Sequence, residues 1–92
     1  MGEPALGTLV TARAGRDRGG RFLIVSVFDE AHVRIADGET RRMAAPKKKK
    51  LKHLHIEPQR AAEIADRLSA GEAVTDADVK KAIAALWQGQ RN

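Results

Sequence analysis

Few side chains in this sequence are of types that do chemistry. His53 and His55 stand two residues apart, so on a strand they would share one face, as two metal ligands do. Nothing completes a ligand set around them. There is no cysteine, and His32 is remote in sequence. No metal or other cofactor is expected. Ser26 and Ser69 lack a nucleophile elbow, and no base is positioned beside either, so neither catalysis nor a small-molecule substrate is expected. The missing cysteines also exclude disulfides, thiolate zinc, iron–sulfur clusters and a thiol nucleophile. That usage suits a reducing cytoplasm.

What remains is charge. The 92 residues carry 17 Lys and Arg against 12 Asp and Glu. Residues 1–57 hold twelve of the cations and seven of the acids, which is the whole excess of +5. Residues 58–92 are neutral. Between 41 and 55 there are seven cations and no acid. A dense basic stretch on a small protein is the footprint of phosphate contact. Lys47, Lys48, Lys49 and Lys50, with Arg41, Arg42 and Lys52, are expected to act as point charges on a flexible segment. Arg16, Arg18 and Arg21 lie in or beside the loop Gly15–Gly20, where the planar guanidinium fork suits phosphate. Gly19 would let a phosphate approach the backbone amides. Arg13 and His53 complete the candidate set. The bland readings are a solvated loop that aids solubility, or a localisation peptide, which would need no folded domain around it.

The elements that must position these residues differ between the two halves. Leu6–Arg13 is rich in strand formers. Arg21–Phe28 is a near-continuous apolar run between glycines and polar residues, as for a strand buried on both faces. His32–Ala36 alternates polar and apolar, as for a half-exposed strand. Asp37-Gly38 is a hairpin signal, with Glu39–Met43 as the expected return strand. Pro46 interrupts, the lysines follow, and Leu51–Ile56 reads as a last strand. Five short strands joined by tight turns predict a small barrel, whose closure would remove exposed edges. Beyond it, Pro58 suits the first turn of a helix carrying Ala61, Ile64, Ala65 and Leu68, with Gly71 at its end. Thr75 reads as the N-cap of a second helix, with Val74 and Val79 as a hydrophobic staple. Val79, Ala82, Ile83 and Leu86 form its apolar stripe, and Trp87 is expected in the core. The domain organisation expected is 1–57 as the barrel and 58–92 as a two-helix appendage.

The segment Leu6–Phe28 resembles the KOW motif, the β–loop–β unit of many ribosomal proteins and of NusG-type transcription factors. Gly7 stands near the start of the first strand, and Gly15-Arg16-Asp17-Arg18-Gly19-Gly20 forms the basic loop. The following Val27–Gly38, with Arg41-Arg42, Pro46 and Leu51-Lys52-His53-Leu54, looks like an archaeal and eukaryotic large-subunit ribosomal protein of the L-fourteen-e type. The chain is most similar to short bacterial KOW domain-containing RNA-binding proteins. The resemblance implies a mainly β fold with α: a small SH3-like β-barrel followed by the two helices. It also implies RNA binding in a ribosomal setting, as a particle component or an assembly factor, without catalysis.

The expected partner is therefore structured RNA, ribosomal RNA in the first place. Only Phe22, Phe28 and Trp87 are aromatic, which speaks against a single-strand binder built on stacking platforms. Duplex RNA is read mostly by shape and 2′-hydroxyls, which suits such a sequence. Two alternatives use the same residues. A duplex DNA binder would need the same charges. A protein-interaction module of SH3-like type would work through the helices and Trp87. No apolar run reaches the roughly 20 residues that span a bilayer, and no leader pattern is visible, so a cytoplasmic location without a membrane partner is expected.

Overall fold

The computed structural model describes residues 5–90. Five strands form one antiparallel sheet: β1 (Thr8–Ala12), β2 (Arg21–Val27), β3 (His32–Ala36), β4 (Lys47–Lys50) and β5 (Leu54–Arg60). Two helices follow, α1 (Ala62–Ser69) and α2 (Asp76–Gln90). The strand order is β4-β3-β2-β1-β5, so the ladder is open and β4 and β5 are its edges.

The sheet buries both faces. β2 shows why: alternate residues of its apolar run point to opposite sides. Leu23 and Val25 join Leu9 and Ala36 beneath the helices, packed against Ile64, Val74 and Val79. Phe22 and Ile24 face the other way, with Val10, Ala12, Val33, Ile35 and Leu54. Neither α1 nor α2 contributes to this second core. The register shifts between Ile24 and Ser26 and between Thr8 and Val10. Such bulges bend and twist strands. Leu54 of β5, with Leu6 and Leu51 at the margin, packs on this face.

The alternation read for β3 holds. Val33 and Ile35 are fully buried, while His32 and Arg34 are half-buried. The return strand expected over 39–43 does not form. Asp37 takes the backbone donors such a strand would need: its carboxylate accepts from the amides of Glu39 (2.9 Å) and Arg41 (2.8 Å) and from the Thr40 hydroxyl (2.7 Å). The amide of Met43 is bound 2.7 Å away by the carboxylate of Asp76, on α2. The partner of β3 is instead the lysine run, with Ile35, Arg34, Val33 and His32 opposite Lys47, Lys48, Lys49 and Lys50. The last strand also starts later than expected. Leu51–His53 is a single turn of 3-10 helix, and β5 begins at Leu54. Pro58 lies inside β5 rather than in a helix. An edge strand tolerates proline, because one side of its ladder needs no N–H.

The end of α1 and the start of α2 carry the expected signals, whereas α1 begins at Ala62 without a side-chain cap. α1 closes in a Schellman turn, with the Gly71 amide on the Leu68 carbonyl (3.2 Å) and the Glu72 amide on the Arg67 carbonyl (2.8 Å). At α2 the Asp78 amide donates to the Thr75 hydroxyl (3.1 Å), and the Thr75 amide donates to the Asp78 carboxylate (3.0 Å). This is a reciprocal capping box. Val74 and Val79 are both buried in the core below.

Two glycines let the helices land on the sheet. At Gly7 (φ +81°) a Cβ would sit 2.6 Å from the Ala61 carbonyl oxygen, and Gly7 itself accepts a 2.9 Å bond from the Ala61 amide. At Gly38 (φ +80°) a Cβ would collide with the Asp76 carbonyl oxygen. Each glycine thus combines a left-handed backbone with a close approach. The Asp37-Gly38 pair read as a hairpin turn is the seat of α2.

Candidate nucleic-acid interface

The lysine run is a strand, not the flexible segment expected from its composition. Paired residues of an antiparallel ladder lie on the same face. Lys48 and Lys50 therefore share a face with Arg34 and His32, and Lys47 and Lys49 share the opposite face with Ile35 and Val33. Lys47, Lys48 and Lys50 are exposed. Lys49 is not: its side chain is 10% exposed, and its ammonium donates to the Ala14 carbonyl at 3.2 Å.

The other candidates sort into two groups. Arg13, Arg16, Arg18, Gly19, Arg42 and Lys52 are exposed. Arg21, Arg41 and His53 are half-buried and engaged within the fold. Arg21 lies on the helix face of β2. Its guanidinium carbon is 3.4 Å from the centroid of the Trp87 ring, and its Nε is buried without a hydrogen-bond partner. Trp87 packs at the margin of the helix-side core, so this pair joins α2 to the sheet. His53 lies in the 3-10 turn, and its carbonyl accepts the Arg13 amide at 2.8 Å. His53 and His55 are therefore not alternate residues of one strand. His55 is exposed, 3.7 Å from Glu57.

Asp17 ties the basic segments together. In the sequence it is an acid that partly neutralises the basic loop. In the fold it accepts from Arg41 through Nε (3.3 Å to each oxygen) and Nη2 (3.0 Å), with the Lys49 ammonium 3.9 Å away. Its side chain is 10% exposed. One carboxylate thus fixes the β1–β2 loop to the 37–46 segment and to β4. The loop's own bonds complete its shape, with the Gly20 amide on the Asp17 carbonyl (2.8 Å) and the Gly19 amide on the Ala12 carbonyl (2.8 Å). Arg16 and Arg18 are presented on a constrained loop beside the lysine strand.

Three side chains outside the sequence-derived set lie with Lys48 and Lys50, on the face of β4 opposite to Lys49 and its Asp17 contact. Arg34 sits beside Lys48, and His32 beside Lys50. Phe28, just past β2, is 45% exposed. The Arg34 guanidinium carbon lies 4.7 Å from the Phe28 ring centroid, and the Lys48 ammonium lies 4.2 Å from it. The His32 ring meets Phe28 edge-on at 6.2 Å. The turn that holds them is organised by Asp29, which accepts from the Ala31 amide (2.9 Å) and contacts His32 Nδ1 (2.8 Å). The His32 bond is the main cause holding the Asp29 carboxyl below the usual aspartate range, and the Ala31 amide adds to it. The alternation of β3 was the available signal for Arg34 and His32. Phe28 carried none, because its apolar run reads as continuous core.

Among the described residues, no cluster of three or more His, Asp or Glu side chains could hold a metal ion. No helix among them is long and apolar enough to cross a membrane. No known family model and no curated protein matches this chain.

Proposed function

We propose that the protein binds structured RNA, ribosomal RNA in the first place, through the basic surface built on β4 and the β1–β2 loop. The observation that carries this reading is the strand of four lysines at the sheet edge, with Arg16 and Arg18 held beside it by the Asp17 latch. A cationic surface of fixed geometry matches a helix of phosphates by position as well as by charge. Lysines on an edge strand also deter pairing with other chains, so one set of residues serves both ends. We read the meander as SH3-like. The return of β5 to β1 and the single 3-10 turn between β4 and β5 support that reading, as does the core to which neither helix contributes. The ribosomal setting, as component or assembly factor in the cytoplasm, rests on the KOW resemblance. The function so read involves no catalysis and no cofactor.

The test is a salt titration of binding to a structured ribosomal RNA fragment. Changing Lys47, Lys48 and Lys50 together to Ala should weaken binding and flatten its salt dependence. Each lost phosphate contact should lower the log–log slope by roughly 0.7–0.9. Affinity and slope equal to those of the wild type would reject the reading. A protein contact through the apolar flank of the helices would show little salt dependence.

A further inference from the structure

The Lys48–Lys50 face of β4 also holds an aromatic ring that the core does not use. Phe28 belongs to neither buried cluster and is 45% exposed. Of the other two aromatics, Phe22 is core and Trp87 is covered by Arg21. A single exposed apolar side chain is ordinary by itself. Here the ring is set among cations: Arg34 at 4.7 Å, Lys48 at 4.2 Å, and the His32 ring edge-on at an interplanar angle of 81°. Ser26 and Lys50 are on the same face, by their pairing with Arg34 and His32. Beside it, a hollow of about 500 Å³ is lined by Glu30, Ala31, His32, Lys50, Leu51 and Lys52.

We propose that Phe28 and Arg34 form a stacking platform for one unpaired base of the bound RNA, with Lys48 and Lys50 placed for the phosphates that flank it. The proposal rests on the RNA reading and deepens it. A nucleobase is flat and apolar on its faces, and it stacks on aryl rings and on guanidinium planes alike. Its flanking phosphates are anionic and match the two lysines. A base inside a duplex cannot expose its face, so the platform selects a bulged, looped or terminal nucleotide. With one platform available, one base is read this way, and the remaining contacts stay on the backbone. A chain with so few aromatics would thereby distinguish an RNA with an unpaired base from a perfect duplex. The turn is braced for the task. The Phe28 amide donates to the His32 carbonyl (3.0 Å), and Asp29 holds His32 in place.

The experiment compares two RNAs of equal length at several salt concentrations: a perfect duplex, and the same duplex with a single-nucleotide bulge. The wild type should prefer the bulged RNA. Phe28→Leu, which keeps apolar volume and removes the ring, should lose roughly tenfold in affinity for the bulged RNA. Its affinity for the duplex and its salt slope should be unchanged. Phe28→Tyr should retain the preference. A 2-aminopurine at the bulge should change its fluorescence on binding wild type, a readout that needs no variant to fold. An equal loss on both RNAs, no loss on either, or no fluorescence change overturns the platform while leaving RNA binding intact; no loss on either would leave the ring to a protein contact. If the wild type binds neither RNA in a salt-dependent way, the RNA reading itself falls, and the platform falls with it.

Discussion

Asp17 is an acid set among cations, and its two possible roles give opposite predictions. If it only neutralised charge, removing it would tighten RNA binding, because the net charge would rise by one. Its contacts argue for the other role, since it fastens Arg41 and Lys49 from two separate segments at 10% exposure. Asp17→Asn should therefore destabilise the fold by about 1–3 kcal/mol, as expected for a partly exposed ion pair stripped of one partner. It should not increase affinity for RNA. Urea unfolding and a binding titration measure the two halves of this claim. Unchanged stability with tighter binding would show that Asp17 is only a diluting charge. The same latch explains why the basic residues are not equivalent. Arg41 and Lys49 are engaged with Asp17 and the β1–β2 loop, Arg21 packs on Trp87 of α2, and Lys48 and Lys50 are exposed.

The segment between β3 and β4 is organised by a side chain rather than by a ladder. Burial would raise the Asp37 carboxyl, but the amides of Arg41 and Glu39, the Thr40 hydroxyl and the Thr40 amide outweigh it and hold it below the usual aspartate range. A carboxyl lowered in the native state stabilises fully above its unfolded pKa, about 3.9, and loses that contribution as pH falls through the native value. Asp37→Ala should therefore be less stable than wild type near neutral pH, and the gap should shrink as the pH drops below about 4. Melting temperatures of both proteins across that range test this. A gap that stays constant in acid would mean the carboxylate form is not what holds the segment. Asp78, in the capping box of α2, is lowered first by the Thr75 amide and then by its hydroxyl, so the start of α2 shares this acid sensitivity. The two acid-sensitive sites are adjacent. Asp76, the first residue of α2, binds the Met43 amide, and its backbone packs on Gly38.

The two halves of the chain share one of the two cores. Ile64, Val74 and Val79 are buried against Leu9, Leu23, Val25 and Ala36 of the sheet. Fully burying one aliphatic side chain contributes about 1.5–3 kcal/mol, and small domains have about 5–15 kcal/mol in all. A chain ending at Arg60 loses all three and exposes the sheet face beneath them. It should lack a cooperative thermal transition, as followed by circular dichroism. A cooperative melt near that of the full chain would instead make 58–92 a dispensable appendage, as the neutral charge of that half suggests. Much of the architecture was legible in local patterns. The run Arg21–Phe28 declared a strand buried on both sides, which holds over Phe22–Val25 and fails at the exposed Val27 and Phe28; His32–Ala36 declared a half-exposed one, and Thr75 and Gly71 the helix ends. These features depend on periodicity and on bonds between near neighbours, which residue order determines directly. The location of the positive excess was equally legible. Tertiary structure decided the rest. Residues 39–43 are not a strand because Asp37 and the distant Asp76 take their amides. Four lysines form a strand because β3 offers an unpaired edge, a partner that no local pattern of charges encodes. The fold also sorted the cations into structural and exposed, and left Phe28 outside both cores. Each of these outcomes turns on a partner brought close only by folding, which explains why spacing alone could not show them.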